Sequence, residues 1–505
     1  MKISFKYFFL TLLFFTYLFI VSDDYFVGDL SHLTLNSSFN IFKGYGYTYG
    51  NENNLTTAVK NSPLTSFIFG IVLKGISQFL VLDTTTIIQI GSLLITLFSA
   101  LSMVFFYDTV KSFSTLNISI VITALFFSNR YILETLLKIS SEALGFFLLI
   151  FWVNRLYKFN LTNEYHYFFT GLLASSLFYS SRYQLLFLHI FAILLSMFIC
   201  KKHKFSYKVL FIPSMSIFAN FYFNWIRSGS VFGHPAGVEG DTFKVLIHDL
   251  IILLKRTFLI PNLPLNKLLV TLILLSTFYY LSKFDLSRST LISKLLIPNV
   301  SFEFLISFTT VNIALLLITL RVNKVDTLSF RYFIYNLFFI FLIISYLCIK
   351  NKILFVYIGA LLLFNITTLN LSFENSLKSC YCSDLSIETI EYINKNLRNE
   401  NILGSRFSSQ IYYSDFQGKV FLLPFYSEYN KSYGRLLQLD EAGFKELIAE
   451  EQINYIVFFE GNDKNDSFIE NNLYGDFIES IYSNSSIYVD NIIDLSDGKV
   501  LKLKK

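Results

Sequence analysis

Long apolar runs separated by short polar segments dominate the first 370 residues of the chain. A helix needs about 20 mostly apolar residues to cross the hydrocarbon core of a bilayer. One further apolar segment, 64–82, has a similar length but places Lys74 and Gln78 on a polar face. The pattern predicts eleven membrane spans, at 5–21, 84–107, 116–132, 141–157, 166–181, 183–200, 207–225, 266–283, 302–320, 332–349 and 351–370.

Basic residues between these runs predict which loops lie in the cytoplasm. Cytoplasmic loops carry an excess of Lys and Arg, and the strongest such signal is Lys201-Lys202-His203-Lys204. Counting from this cluster places the N-terminus in the cytoplasm and everything after residue 370 on the outer side. The first span leads to the outer side, and span 84–107 also starts on the outer side. Segment 64–82 must therefore begin and end on the outer side without crossing the membrane. It is therefore predicted to be a juxtamembrane or re-entrant helix within a first outer loop at 22–83.

The composition agrees with an integral membrane protein and excludes a soluble one. Hydrophobic residues make up 53% of the chain and charged residues only 15%, so a soluble fold would expose too much apolar surface. The net charge of +5 does not indicate a nucleic-acid partner, and membrane lipids are the expected surroundings. The six histidines show no metal-ligand spacing, and no cofactor is predicted. The Asn-, Ile- and Lys-rich composition favours a bacterial plasma membrane.

The composition changes at about residue 375, where apolar runs give way to short alternating elements. Helices are predicted at 385–399, 440–451 and 468–482, and strands at 401–405, 419–424, 453–460, 487–493 and 500–504. Such alternation is typical of a small α/β domain. The predicted organisation is thus a polytopic α-helical membrane domain at 1–374 and an extracytoplasmic α/β domain at 375–505.

Two adjacent acids stand where the first predicted span meets the outer interface, Asp23 and Asp24. The loop behind them is long and rich in glycines and aromatic residues, which favours a structured site over a solvated helix end. A carboxylate there can act as a general base, accepting the proton of an acceptor hydroxyl as that oxygen attacks an activated carbon. At a site open to the bilayer, the natural electrophile is linked to a lipid.

Four other polar motifs lie at predicted outer helix ends. Charges beside the hydrocarbon cost about 2.5–3.5 kcal/mol each, so they usually pair or bind something. A single arginine there can simply extend its head toward the lipid headgroups, but two arginines on the side of the acidic loop favour a phosphate site, because guanidinium binds phosphate bidentately. The motifs are Ser141-Glu142, Arg182-Tyr183, the run from Trp225 to Gly233, and Asp326 with Arg331-Tyr332.

With these motifs in place, the chain resembles the GT-C superfamily of membrane glycosyltransferases. The nearest branch is similar to the bacterial protein-mannosyltransferase and aminoarabinose-transferase-like proteins, which use polyprenyl-phosphate sugars. The resemblance covers most of the membrane part. It rests on the order and common sidedness of the motifs above, together with Gly44-Tyr45-Gly46-Tyr47 leading to Ser62-Pro63-Leu64.

The resemblance implies a GT-C-like fold and an inverting sugar transfer at the outer membrane face. The donor would be a polyprenyl-phosphate sugar, and the acceptor a lipid, a glycan or a protein. A first-loop aspartate would be the base, with Asp24 and Asp23 ahead of Asp29. Glu142 is the nearest counterpart of a second acid found in many relatives. The expected substrate-binding residues are Asp29, Glu142, Arg182, Tyr183, Arg331 and Tyr332. Some branches hold a divalent metal between acids, but this sequence gives no support for one.

Two readings from other classes compete with an enzyme. A transporter or flippase of lipid-linked saccharides predicts repeated helix sets and charges buried in mid-span near Gly or Pro breaks, whereas the polar residues here gather at outer helix ends. A non-catalytic envelope assembly protein, binding a partner through its outer domain, predicts that the acidic loop tolerates substitution.

Overall fold

The computed structural model describes residues 7–9, 11–16, 29–49, 56–57, 63–228, 243–258, 309–318, 330–377, 387–404, 411, 416–422, 441–459, 481 and 488–504. Several sequence predictions lie outside these residues. They are Asp23, Asp24, Asp326, the predicted span 266–283, the glycine-rich end of the run after Trp225, and most of the predicted helix at 468–482.

The first outer loop contains two packed helices. Helix α1 (Asp29–Lys43) leads to a short antiparallel pair of strands, β1 (Thr48–Tyr49) and β2 (Thr56–Thr57). Helix α2 (Pro63–Ile76) follows, and its last residues are succeeded by turns rather than by more helix. Lys74 is exposed, as is Gln78 just beyond the helix. The segment 64–82 is therefore a helix of 14 residues with a polar end.

Most of the remaining described helices form one bundle, and all of these except Phe211–Ser228, which packs beside Tyr179 and Leu186, share one apolar core. They are α3 (Thr84–Lys111), α4 (Leu116–Ser128), α5 (Arg130–Leu137), α6 (Ser141–Thr162), α7 (Tyr165–Ser175), α8 (Phe178–Ser181), α9 (Leu186–His203), α10 (Phe211–Ser228), α11 (Phe243–Phe258), α12 (Thr309–Ile318), α13 (Phe330–Lys350) and α14 (Lys352–Leu377). Within the described residues, four helices are long and apolar enough to cross a membrane, or five if one bent pair counts as a single span.

The predicted span 116–132 is this bent pair, α4 and α5, whose axes meet at 68°. Asn129 lies at the break, and its side-chain oxygen accepts hydrogen bonds from the backbone amides of Tyr131 at 3.1 Å and Ile132 at 3.3 Å. An asparagine that satisfies free amides in this way starts a new helix. The segment predicted as a span at 116–132 is therefore bent at Asn129, and as a pair the two helices are long and apolar enough to count as one span.

The contacts of α3 and α6 define two ends of the bundle. At the end where α6 begins, Ile139 packs beside Gly91 of α3. At the other end, the Lys158 ammonium lies 3.2 Å from the Asp108 carboxylate of α3. The two helices therefore run parallel, with α4 and α5 returning between them. We call these the Ser141 end and the Lys158 end.

Helices α1 and α2 pack closely on each other and on the Ser141 end. The hydroxyls of Ser37 and Ser66 are hydrogen-bonded at 2.7 Å. Leu35 and Phe69 share an apolar cluster with Ala143, the third residue of α6. The two loop helices therefore lie against the start of α6.

Gly70 is the position at which α1 and α2 approach most closely, and its replacement by alanine should separate them. A Cβ atom there would lie 2.7 Å from the Ile41 side chain and 2.9 Å from the Ser38 carbonyl oxygen. Because neither the branched side chain nor the backbone can move away freely, we expect Gly70→Ala to cost about 1–3 kcal/mol of stability. Thermal unfolding in detergent checks this. Gly75→Ala is the matched control, since a Cβ atom there would meet nothing within 4 Å. Equal melting temperatures for the two variants would contradict the expectation.

The C-terminal residues form a mixed five-stranded sheet in the order β4-β3-β5-β7-β6. Strands β3, β4 and β5 are parallel to one another, and β5, β7 and β6 are paired antiparallel. The alternation predicted from the sequence is observed here. The elements are α15 (Ile387–Asn396), β3 (Asn401–Gly404), β4 (Val420–Leu422), α16 (Glu441–Glu451), β5 (Ile453–Phe458), β6 (Val489–Leu495) and β7 (Gly498–Leu503).

Candidate active site

Glu142 lies in the first turn of α6 with its carboxylate buried. The helix is preceded by Ser140, whose side chain makes no capping hydrogen bond. A helix N-terminus carries partial positive charge and stabilises a carboxylate in its first turn. The side chain of Glu142 is nevertheless only 4% exposed, and a carboxylate buried to that degree needs a partner of opposite charge.

Arg182 supplies that partner from across the bundle. It is an extended residue between α8 and a 3-10 turn, Tyr183–Leu185, and this break in the helices directs its side chain to the start of α6. One guanidinium nitrogen, Nη1, pairs with Glu142 Oε1 and donates to the hydroxyl of Ser141 at 3.1 Å. The Arg182 side chain is 7% exposed. The sequence motifs Ser141-Glu142 and Arg182-Tyr183 thus meet as a buried ion pair.

The start of α13 brings a second guanidinium to the same place. Arg331 donates through Nη2 to the Tyr332 hydroxyl at 2.6 Å, and its Cζ lies 4.7 Å from the centre of that ring. Arg182 Cζ lies 5.7 Å from the centre of the same ring. The charges of both arginines act on the Glu142 carboxylate. Two guanidinium groups therefore lie near the Tyr332 ring, and the Glu142 carboxylate pairs with one of them.

Tyr335 is a further member that sequence reasoning missed. It follows Arg331 by four residues, so it lies on the same face of α13. Its hydroxyl occupies the space left by Gly145, where an added Cβ atom would lie 2.8 Å from the hydroxyl oxygen. Arg182 and Glu142 both act electrostatically on it. We call Glu142, Arg182, Arg331, Tyr332 and Tyr335 the ion-pair cluster.

Tyr183 does not join the ion-pair cluster, although it directly follows Arg182. Its hydroxyl donates to the Asn224 side-chain oxygen at 3.1 Å, and the Asn224 amide donates to the Tyr179 hydroxyl at 3.3 Å. This separation arises because Arg182 is extended whereas Tyr183 opens a tight turn, so the two side chains leave the chain in different directions. The two residues of the Arg182-Tyr183 motif therefore belong to different hydrogen-bonding groups, and a substrate-binding role for Tyr183 stays a prediction.

Arg227, at the end of α10, lies one turn beyond Asn224, which binds Tyr183, and contacts the first outer loop. Its guanidinium donates to the Tyr47 carbonyl oxygen and lies 4.9 Å from the Tyr47 ring and 4.6 Å from the Phe223 ring. Burial, reinforced by neighbouring Tyr49, raises the pKa of the Tyr47 hydroxyl well above its ordinary value, so this side chain stays neutral. Within the run from Trp225 to Gly233, it is Arg227 that makes these contacts, while Trp225 is exposed.

Asp29 is the first residue of helix α1, which packs against the Ser141 end, and its substrate-binding role stays a prediction. Among the described residues, no group of three or more His, Cys, Asp or Glu side chains could hold a metal ion.

No protein-family model matches the sequence, and no curated protein matches it either. Among solved structures, the chain is similar to the archaeal oligosaccharyltransferase AglB from Archaeoglobus fulgidus in complex with an inhibitory peptide and a dolichol-phosphate. That similarity has 10% identity and a TM-score of 0.47, and covers 99% of this chain and 74% of AglB. ArnT from Cupriavidus metallidurans is similar at 9% identity and TM-score 0.45 when bound to undecaprenyl phosphate, and at 8% and 0.48 in the apo state. Both cover 99% of this chain and 96% of ArnT.

Proposed function

We propose that this protein transfers a sugar from a polyprenyl-phosphate donor to a lipid, glycan or protein acceptor at the outer face of the membrane, with inversion at the anomeric carbon. The observation that carries the proposal is the ion-pair cluster. Buried carboxylate and guanidinium groups meet there at one end of a bundle of apolar helices. Charges so placed are expensive, and they are usually retained at sites that bind a charged or polar ligand.

The two guanidinium groups of the cluster favour an anionic ligand. Arg182 pairs with Glu142, and Arg331 brings a second guanidinium that can hold a phosphate to the same cluster. A guanidinium matches phosphate oxygens with two parallel hydrogen bonds and keeps its charge at any physiological pH. Since the cluster lies at one end of a bundle of apolar helices, an anion carried on a lipid fits better than a soluble one.

The distribution of charge supports an outward-facing Ser141 end. Lys158 and Arg155 lie near the opposite end of α6, and Lys201 and Lys202 end α9. Cytoplasmic ends are the ones that carry such basic residues. The position of the cluster at helix starts and breaks, rather than in mid-helix, also favours an interfacial enzyme over a transporter.

The base in this proposal is a first-loop aspartate, Asp24 or Asp23. Asp24 precedes the start of α1 by five residues, which span at most about 18 Å when fully extended, and α1 packs at the Ser141 end. The carboxylate takes the acceptor's hydroxyl proton while that oxygen bonds to the anomeric carbon. The bond from that carbon to the phosphate oxygen breaks, and polyprenyl phosphate leaves with the electron pair. A single displacement of this kind inverts the configuration.

Transfer from radiolabelled polyprenyl-phosphate sugars in proteoliposomes tests this assignment. Removing a general base typically costs 10²–10⁴-fold in rate, so either Asp24→Asn or Asp23→Asn is expected to lower transfer by about 100-fold or more. Asp83→Asn, at the cap of α3, is a control acid in the same loop that should retain transfer. Full activity in both single variants and in the double variant would contradict the base assignment. Cytoplasmic labelling of cysteines placed at residues 44–49 would contradict the outward orientation.

A further inference from the structure

Three buried polar atoms of the ion-pair cluster have no hydrogen-bond partner within the described part of the chain. They are Glu142 Oε2, Arg182 Nε and the Tyr335 hydroxyl. A buried polar group without a partner costs about 1–3 kcal/mol, and more when it is charged. A cluster that served only to hold helices together would gain from satisfying these atoms. Their presence together indicates that a ligand completes them.

The three atoms belong to side chains that converge on one spot. Gly145 follows Glu142 by about one turn of α6, and the Tyr335 hydroxyl fills the notch that Gly145 leaves. The Ser181 hydroxyl, in the residue before Arg182, lies 3.5 Å from the same point. The glycine therefore lets the Tyr335 hydroxyl approach the Glu142–Arg182 pair.

The hydrogen-bonding character of these atoms selects among ligands. A carboxylate oxygen only accepts, a guanidinium N–H only donates, and a phenol does both. A phosphate oxygen is an anionic acceptor, so Glu142 would repel it and leave Oε2 without a partner. A neutral hydroxyl can donate to Glu142 and accept from Arg182 or Tyr335. Because the charges of Glu142 and Arg182 cancel, this part of the site suits an uncharged polyol.

We propose that Glu142, Arg182 and Tyr335 form a subsite for the hydroxyl groups of the donor's sugar, while Arg331 holds its phosphate. This inference rests on the proposed function and assigns a role to Tyr335. It also replaces the sequence expectation that Arg182 binds phosphate, because the carboxylate of Glu142 already occupies one edge of that guanidinium.

Equilibrium binding of two kinds of lipid to the full-length protein in nanodiscs tests the subsite. The probes are undecaprenyl phosphate and the same lipid carrying glucose, galactose, mannose or N-acetylglucosamine. We expect Tyr335→Phe to weaken the tightest sugar-bearing lipid by about tenfold, the value of one hydrogen bond, and to leave undecaprenyl phosphate unchanged. Thermal stability should be unchanged or raised, since the variant removes a buried hydroxyl that has no hydrogen-bond partner among the described residues. Gly145→Ala should give the same selective loss by displacing that hydroxyl.

Tyr157→Phe is the matched control. Tyr157 is a buried tyrosine on α6, about 22 Å along the helix from Glu142. This substitution should change neither affinity. Equal weakening of both lipids by Tyr335→Phe and Gly145→Ala, or weakening of neither, would overturn the subsite. If wild-type protein bound undecaprenyl phosphate as tightly as every sugar-bearing lipid, the sugar subsite would be contradicted. The phosphate site would not be affected by that result. Wild-type protein that binds none of the lipids would overturn the proposed function itself.

Discussion

Replacing Glu142 by glutamine should destabilise the protein by about 3–5 kcal/mol, the cost of leaving one partner of a buried ion pair uncompensated. Arg182 would then keep its charge in a position that is almost closed to water. The same substitution should also abolish sugar transfer, because both the proposed hydroxyl acceptor and the orientation of Arg182 are lost. Thermal unfolding in detergent and transfer in proteoliposomes measure the two effects.

A double variant separates these two effects. Glu142→Gln with Arg182→Met removes both charges, so much of the lost stability should return while transfer stays absent. Glu134→Gln is the comparison for an ordinary pair. It breaks a half-buried contact to Arg130 within one helix and should cost less than about 1 kcal/mol. If the double variant regained transfer together with stability, the cluster would be structural only.

The second large effect is expected at Arg331. Arg331→Gln should weaken binding of undecaprenyl phosphate by about 10- to 100-fold, because charge-assisted hydrogen bonds contribute about 1.5–3 kcal/mol. Arg331→Lys should recover part of this loss, since an ammonium keeps the charge but not the bidentate geometry. Stability should change little in either variant, because Arg331 is only half-buried. Equilibrium binding in nanodiscs gives both affinities.

Arg155→Gln is the matched control for Arg331. Arg155 also lies on aromatic rings, 4.5 Å from the centre of Phe151, but nearer the Lys158 end of α6. Its replacement should leave lipid binding unchanged. If Arg155→Gln lost as much affinity as Arg331→Gln, binding would reflect the overall charge of the protein and not this site.

Much of the helical framework could be read from apolar run lengths, because hydrocarbon imposes a minimum length on a span. The same reasoning found Glu142, Arg182 and Arg331, since charge beside the hydrocarbon is costly and concentrates at helix ends. Counting the ends of the spans placed all three on one side. Because the span count places these three residues on the same side of the membrane, it is consistent with their meeting in one cluster.

Three other features of the structure could not be predicted from the lengths of the apolar runs. The bend at Asn129 arises because one side chain caps a new helix. The length of an apolar run does not reveal such a cap. The separation of Tyr183 from Arg182 depends on a change of backbone conformation between them. Tyr335 lies among phenylalanines in the sequence, so the sequence predicts that it is an ordinary core residue. Only its contact with Gly145 in the structure indicates a different role.

The most direct test is the position of the lipid phosphate in a cryo-EM structure of the protein in nanodiscs with undecaprenyl phosphate. We predict phosphate density in hydrogen-bonding contact with the Arg331 guanidinium, at the Ser141 end of the bundle and beneath helices α1 and α2. Phosphate density at the Lys158 end, against Lys158 or Lys201, would contradict the proposed site.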